Sequence, residues 1–285
     1  MMGAKLLDGK KLSQEILQSA KNQVAEFAKS KIHPKLVVVQ VGNDPASTIY
    51  TEKKHKTCQE VGIRSELIRL HESTTQEELL KQIGELNKDR SVHGILVQLP
   101  LPKHIVERSV IEAISPQKDV DGFSAVSQGN NLIGHTGLKP ATPKGIMKLI
   151  HSTKKNIEGL NAVIVGRSNI VGKPIAAMLL NANCTVTICH SKTKNISDFT
   201  KKADILVVAV GEVNLIKESM VKAGAIVIDV GMNRKGEELF GDVDFKAVSK
   251  KAGFITPVPG GVGPMTIASL IENTLQACRE QNENY

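Results

Sequence analysis

The chain has 285 residues, 41% of them hydrophobic and 23% charged, which is the balance of a folded globular protein and excludes a disordered or fibrous one. Lys and Arg number 37 against 29 Asp and Glu, a formal charge of +8. The lysines are spread in pairs such as Lys154-Lys155, Lys201-Lys202 and Lys250-Lys251, with no basic block interleaved with aromatics. No nucleic-acid partner is therefore expected, and a polyanionic small molecule accounts for the charge equally well.

With no Trp and only 2 Tyr, the core must be aliphatic. No apolar run nears the roughly 18 residues of a membrane span, so no membrane partner is expected. Met1-Met2-Gly3-Ala4-Lys5 leads into no long apolar stretch, so no secretory signal is expected. Cys58, Cys184, Cys189 and Cys278 have neither C-x-x-C spacing nor clustered histidines. They read as reduced thiols in a cytoplasmic protein, with no metal site and no disulfide framework.

Taken in chain order, helical patterns and short apolar runs alternate. Helices are expected near 10–30, 46–61, 75–89 and 103–114, and strands near 35–41, 64–70 and 92–98. Alternation of this kind predicts a parallel α/β architecture. From Ser115 to Thr142 the apolar residues lose their period among Gly, Asn, Asp and Pro, and a linker with loop functions is expected. A second α/β series follows, with strands near 161–166, 184–189, 204–210 and 225–230 and a last helix near 265–281.

The run Asn161–Val165 enters Gly166-Arg167-Ser168-Asn169-Ile170-Val171-Gly172-Lys173-Pro174 and then a helical stretch. Strand, glycine turn and helix form the setting in which backbone N–H groups hold a pyrophosphate. The pattern is imperfect: Ser168 stands at the second glycine of G-x-G-x-x-G, and Gly172 comes one position late. An ordinary βα turn is the competing reading. The next strand ends in His190-Ser191-Lys192 without the carboxylate that an NAD site places on the ribose hydroxyl. Arg167, Ser191 and nearby lysines could instead meet a 2′-phosphate, which favours NADP.

Tyr50 and Lys54 are i and i+4 on a predicted helix and so share a face. Neighbouring Lys53 and Lys56, with partial burial, are expected to lower the Lys54 pKa and make it an acid–base group. An amphipathic coincidence is the plain alternative. Gln98 lies at the C-terminal end of an apolar strand, where open α/β sheets bind ligands. Asp119 and Asp121 open the linker, as site acids or merely as a turn.

Together these residues resemble the bifunctional methylenetetrahydrofolate dehydrogenase/methenyltetrahydrofolate cyclohydrolase family. The resemblance runs from Asp8-Gly9-Lys10 to the last helix. It is carried by Tyr50-x-x-x-Lys54-x-x-x-Cys58, Gly94–Pro102, Lys118–Phe123, the Gly166–Pro174 turn and Pro257–Thr266. One departure is Ala141 in Pro140-Ala141-Thr142-Pro143, where the family more often has Cys.

The resemblance implies two domains. Residues 1–121, with a helix 268–285 returning to them, form a folate-binding catalytic domain, and 122–267 form a Rossmann-type NADP-binding domain. It implies that NADP oxidises 5,10-methylenetetrahydrofolate and that the methenyl product is hydrolysed to 10-formyltetrahydrofolate. Lys54 would be catalytic with Gln98 tuning it, Tyr50 would stack on the folate beside Ser47, and Asp121 would bind the pterin. Pro259, Gly260, Gly261 and Val262 would border the same cleft, and Gly166, Arg167, Ser168, Ser191 and Met232 would bind NADP. No metal is implied. A homodimer is implied, as is a place in one-carbon supply to purine, methionine and histidine biosynthesis. The alternatives are a family member that kept only the dehydrogenase and an NADP-binding module without turnover.

Overall fold

The structure, a computed structural model, describes residues 3–236 and 238–283. Met1, Met2 and the last two residues of the expected 268–285 helix lie outside them.

In chain order the elements are β1 (Lys5–Leu6), α1 (Gly9–Lys29), β2 (Lys35–Val41), α2 (Pro45–Val61), β3 (Arg64–Leu70), α3 (Gln76–Lys88) and β4 (Gly94–Val97). Then come α4 (Glu107–Ala113), α5 (Ala125–Leu132), α6 (Ala141–Ser152), β5 (Asn161–Val165), α7 (Gly172–Asn181), β6 (Thr185–Cys189) and α8 (Ser197–Thr200). The chain closes with β7 (Ile205–Val208), β8 (Ile226–Asp229), β9 (Asn233–Lys235), β10 (Glu238–Phe240), α9 (Phe245–Val248), β11 (Phe254–Ile255) and α10 (Val262–Glu283).

Two compact units result. One contains residues 15–129, 137–141 and 267–285, and the other residues 1–14, 130–136 and 142–266. The division departs from the sequence expectation in the placing of 1–14, 122–129, 137–141 and 267. Backbone pairing explains the first: β1 pairs in parallel with β11, and Leu7 N donates to the Ile255 carbonyl at 2.8 Å. Residues 122–124 stay with the 15–129 unit because their amides are bound by Asp119 within it.

In the 15–129 unit, three parallel strands run in the order β3-β2-β4. The strands β2 and β4 are almost wholly buried, so apolar side chains occupy both faces, as expected of a parallel sheet covered on both sides. Leu36 and Val38 pack on one face with Leu96, Leu270, Ile271 and Leu275, the last three from α10. Val37 and Val39 pack on the other with Leu79, Ile83 and Ile95. Asn273 ties α10 down, donating from Nδ2 to the carbonyls of Val120 at 2.8 Å and Lys139 at 2.7 Å.

The other unit has a six-stranded parallel sheet in the order β1-β11-β8-β7-β5-β6, with a separate β9-β10 hairpin. Val163, Val165, Leu206, Val208, Val227 and Ile255 make its aliphatic core.

The expected linker over 115–142 is corrected. It holds α5 and the start of α6; the short Ala125–Leu132 helix is hidden by Gly129, Asn130 and Asn131, which are weak helix formers. The first turn of α5 is anchored by a neighbouring carboxylate, with Ala125 N donating to Glu112 Oε1 at 3.1 Å. Among the described residues no helix is long and apolar enough to cross a membrane.

Candidate active site and dinucleotide turn

The helix α2 has well-defined ends. Asp44 caps its start, accepting from Ser47 N at 2.7 Å, with Pro45 in the first turn. Gly62, in the left-handed conformation at φ 88°, closes it. Between these ends Tyr50, Lys54 and Cys58 follow at four-residue spacing and share one face. Behind that face Gln40 of β2 is buried, donating from Nε2 to Thr48 Oγ1 at 2.8 Å and accepting from Thr51 Oγ1 at 2.9 Å. No sequence motif marks Gln40. A polar residue inside the Lys35–Val41 apolar run was the available signal, because an amide buried there needs partners.

Lys54 is 5% exposed. Its Nζ donates to Gln98 Oε1 at 3.1 Å and lies 4.9 Å from the centroid of the Tyr50 ring. Gln98 is itself fixed: its backbone N donates to the Val39 carbonyl at 2.8 Å, prolonging the ladder past β4, and its Nε2 donates to the Leu99 carbonyl at 2.6 Å. Burial holds the Lys54 amine below its usual pKa, against the opposing pull of the Asp121 carboxylate. The direction agrees with the sequence expectation, but its cause is corrected. Lys53 and Lys56 are exposed, where water screens them, and desolvation of Lys54 does the work. Burial likewise raises Asp121, which Lys54 opposes. Cys58 is fully buried and its thiol is pushed up to about 12, so it is an inert packing residue.

The two linker acids divide. Asp119 is structural: its Oδ1 accepts from the amides of Gly122 at 3.0 Å and Phe123 at 3.2 Å. Its Oδ2 accepts from Ser124 N and Ser127 Oγ, both at 2.8 Å. That turn presents Asp121, whose charge reaches Lys54. Tyr50, Ser47, Lys54, Gln98 and Asp121 therefore all belong to the 15–129 unit, at or after the C-terminal ends of β2 and β4.

The second cluster lies in the other unit. Gly166 ends β5 at φ 126°, and a Cβ there would collide with the Ala209 carbonyl. A Cβ at Gly172 would collide with the Gly166 carbonyl, so the late glycine serves close approach of α7 to the strand end. Ser168 Oγ accepts from Val171 N at 3.1 Å and Gly172 N at 3.3 Å, holding the turn that the missing glycine would otherwise shape. Arg167, Ser168 and Ser191 are exposed at this rim, and Met232 is 60% exposed after β8. No carboxylate ends β6: His190 N donates instead to Thr193 Oγ1 at 2.9 Å. A bare cradle of this shape, with Arg167 beside it, fits the phosphates of NADP.

The loop Pro259-Gly260-Gly261-Val262 is braced within the same unit. Lys10 N donates to the Gly260 carbonyl at 2.9 Å, and a Cβ at Gly9 would collide with the Gly261 carbonyl. The Asp8-Gly9-Lys10 signal thus has a packing origin. Among the described residues no three His, Cys, Asp or Glu side chains form a metal-binding group. All four cysteines are free and buried.

Fold and sites define an α/β protein with one dinucleotide-binding unit and one unit built around a buried lysine. The family description "Tetrahydrofolate dehydrogenase/cyclohydrolase, catalytic domain" matches residues 7–121, and its NAD(P)-binding domain matches residues 140–282. The bifunctional protein FolD of Moorella thermoacetica is 54% identical over 279 residues, 98% of this chain and 100% of the relative. The crystal structure of bifunctional FolD from Campylobacter jejuni superposes with a TM-score of 0.96 at 50% identity, covering 97% of this chain and 99% of that one. The Trypanosoma brucei dehydrogenase-cyclohydrolase, solved with NADP and inhibitor, gives a TM-score of 0.95 at 34% identity, covering 98% and 99%. The chain belongs to the tetrahydrofolate dehydrogenase/cyclohydrolase family.

Proposed function

We propose that this enzyme oxidises 5,10-methylenetetrahydrofolate with NADP to the 5,10-methenyl form and hydrolyses that product to 10-formyltetrahydrofolate. The observation that carries the reading is the buried Lys54 amine, depressed in pKa and held by Gln98. Burial that disfavours the charged form makes this amine readier to act as a base, so it can take a proton from water.

In the first step the methylene carbon loses a hydride, and the lone pairs of its two flanking nitrogens stabilise the cation left behind. NADP, when bound at the glycine turn, would supply the hydride acceptor. Gly166, Arg167, Ser168, Ser191 and Met232 are assigned to holding it. No metal or protein nucleophile is needed, and the residues around Lys54 contribute orientation. Tyr50 and Ser47 are assigned to the folate ring system and Asp121 to the pterin donors. In the second step water adds to the methenyl carbon as Lys54 accepts one of its protons, and Gln98 fixes the Lys54 amine through its Oε1. The carbon–N5 bond then breaks while the carbinol proton passes to N5, leaving the formyl group on N10. Pro259, Gly260, Gly261 and Val262 are assigned to substrate binding.

The unit built on 15–129 acts on folate and that built on 142–266 holds NADP. The reading also places the enzyme in the cytoplasm as a homodimer, without nucleic-acid or membrane partners, supplying one-carbon units for purine, methionine and histidine synthesis. The free, buried cysteines support a reducing compartment.

The test is spectrophotometric. With methylenetetrahydrofolate, NADP should give NADPH absorbance and a transient methenyl band that decays, and NAD should support the reaction far less. A methenyl band that accumulates without decay would leave a dehydrogenase alone, and no NADPH with either cofactor would remove the reading.

A further inference from the structure

The strand order of the larger sheet locates the rest of the cofactor crevice. From β5 the chain crosses to β6 on one side and then to β7 on the other, so the strand order reverses between β5 and β7 while all strands stay parallel. Open α/β sheets bind ligands outside the C-terminal ends of the strands at such a reversal. The 2′-phosphate end of NADP is assigned to the β6 side and the pyrophosphate to the Gly166 turn. The nicotinamide half is therefore left to the loops after β7 and β8, one of which touches Gly166 through Ala209.

Both loops are tied to one buried pair of carboxylates. Asp242, fully buried, collects the three consecutive amides after β7. Val210 N and Gly211 N donate to its Oδ2 at 2.8 and 3.0 Å, and Glu212 N donates to Oδ1 at 2.9 Å. Asn233 Nδ2 also donates to Oδ1, at 2.8 Å. Asp242 N donates to Asp229 Oδ1 at 2.9 Å, which also accepts from Gly231 N at 3.0 Å. Val243 N donates to Asp229 Oδ2 at 3.0 Å. The fit is tight, since a Cβ at Gly231 would collide with Asp242 and one at Gly241 with Asp229. The amides of 210–212 point inward to a carboxylate, so this rim presents carbonyls and side chains to its ligand and not anion-binding N–H groups. Such a wall suits the uncharged and cationic nicotinamide half of NADP better than a phosphate.

We propose that Asp242 is a positioning residue for the nicotinamide half of NADP, its carboxylate fixing the loop 210–212 directly and the segment after β8 through Asn233. This rests on the NADP reading above. Asp242→Asn keeps the shape but replaces one accepting oxygen with an NH2 group that cannot accept, so at least one buried loop amide loses its partner.

The test is direct titration of NADP against wild type and Asp242→Asn, with hydrogen exchange of the 210–212 amides and both activities assayed on the same preparation. The expected result is at least tenfold weaker NADP binding, a matching rise in the NADP KM against a smaller change in kcat, and faster exchange of those amides. Hydrolysis of methenyltetrahydrofolate, assayed without NADP, reports whether the other unit is intact. Should Asp242→Asn not fold, Asn233→Asp sets a like charge beside Asp242 and should weaken NADP binding at least threefold. NADP affinity within twofold of wild type in the variant that folds overturns the proposal. So does a parallel fall of both activities at unchanged NADP affinity. A wild type that binds no NADP would instead overturn the underlying reading.

Discussion

Lys54 Nζ and Gln98 Oε1 meet at 3.1 Å, and the Gln98 amide cannot turn round without giving up the 2.6 Å bond from its Nε2 to the Leu99 carbonyl. The oxygen is thus the end offered to the amine, and Gln98 binds Lys54 without adding charge. Gln98→Glu keeps the size and supplies a carboxylate, which favours the protonated lysine and raises its pKa. Hydrolysis that needs the free amine then requires a higher pH. The acid limb of the hydrolysis pH profile should move to higher pH, with about tenfold lower rate at a fixed pH on that limb for each unit it moves. A profile that stays in place would separate Gln98 from the tuning of Lys54.

Asp121→Asn should move the same limb the other way. The Asp121 charge pulls the Lys54 pKa up against the larger effect of burial, so removing it lets the amine deprotonate at lower pH. Both activities should also fall, because the assigned pterin contact serves both steps. The decisive reading is the profile of the residual hydrolysis at saturating folate. A shift towards higher pH would contradict the electrostatic assignment, and wild-type rates in either reaction would remove Asp121 as the shared anchor.

Arg167→Ala tests cofactor choice. The turn and the end of β6 carry no acid, and Arg167 is exposed at the rim. A charge-assisted contact to the 2′-phosphate is worth about 1.5–3 kcal/mol, and screening at an exposed site puts this one at the low end. The NADP KM should rise roughly tenfold while NAD use stays nearly unchanged. Equal loss with the two cofactors would place Arg167 on the pyrophosphate.

Much of this was readable before the structure, and unevenly. The strands β2, β4, β5, β7 and β8 announce themselves because buried parallel strands are continuous apolar runs. The two-residue strands β1 and β11 do not, since two residues carry no period, yet their pairing places the first 14 residues with the dinucleotide unit. Tyr50 and Lys54 share a face by arithmetic, but that Lys54 is depressed by burial and not by Lys53 and Lys56 depends on which side of α2 meets the sheet. Asp119 and Asp121 look alike in sequence. Only the closed turn shows that the first binds backbone amides and the second faces the lysine. Asp242 carried no signal, because three of its partners are main-chain amides, which any residue can supply, and the fourth, Asn233, belongs to no motif.

Lys54→Met separates the two reactions. Methionine replaces the amine with an apolar chain of similar length, which the 5% exposed site can accept with little loss of packing. Hydride departure is driven by the lone pairs of the folate nitrogens and by docking of NADP at Gly166–Ser168, neither of which uses the Lys54 proton. Hydrolysis needs that proton transfer, and general acid–base assistance is worth about 10²–10⁴-fold. The variant should therefore lose at least about a hundredfold in hydrolysis and markedly less in dehydrogenation, with methenyltetrahydrofolate building up in the coupled reaction. The rival role for Lys54 is a cation that merely positions the folate. It predicts equal loss of both rates with a raised folate KM. Both rates measured on one preparation decide the matter: parallel loss returns Lys54 to a binding role, and selective loss of hydrolysis identifies it as the base.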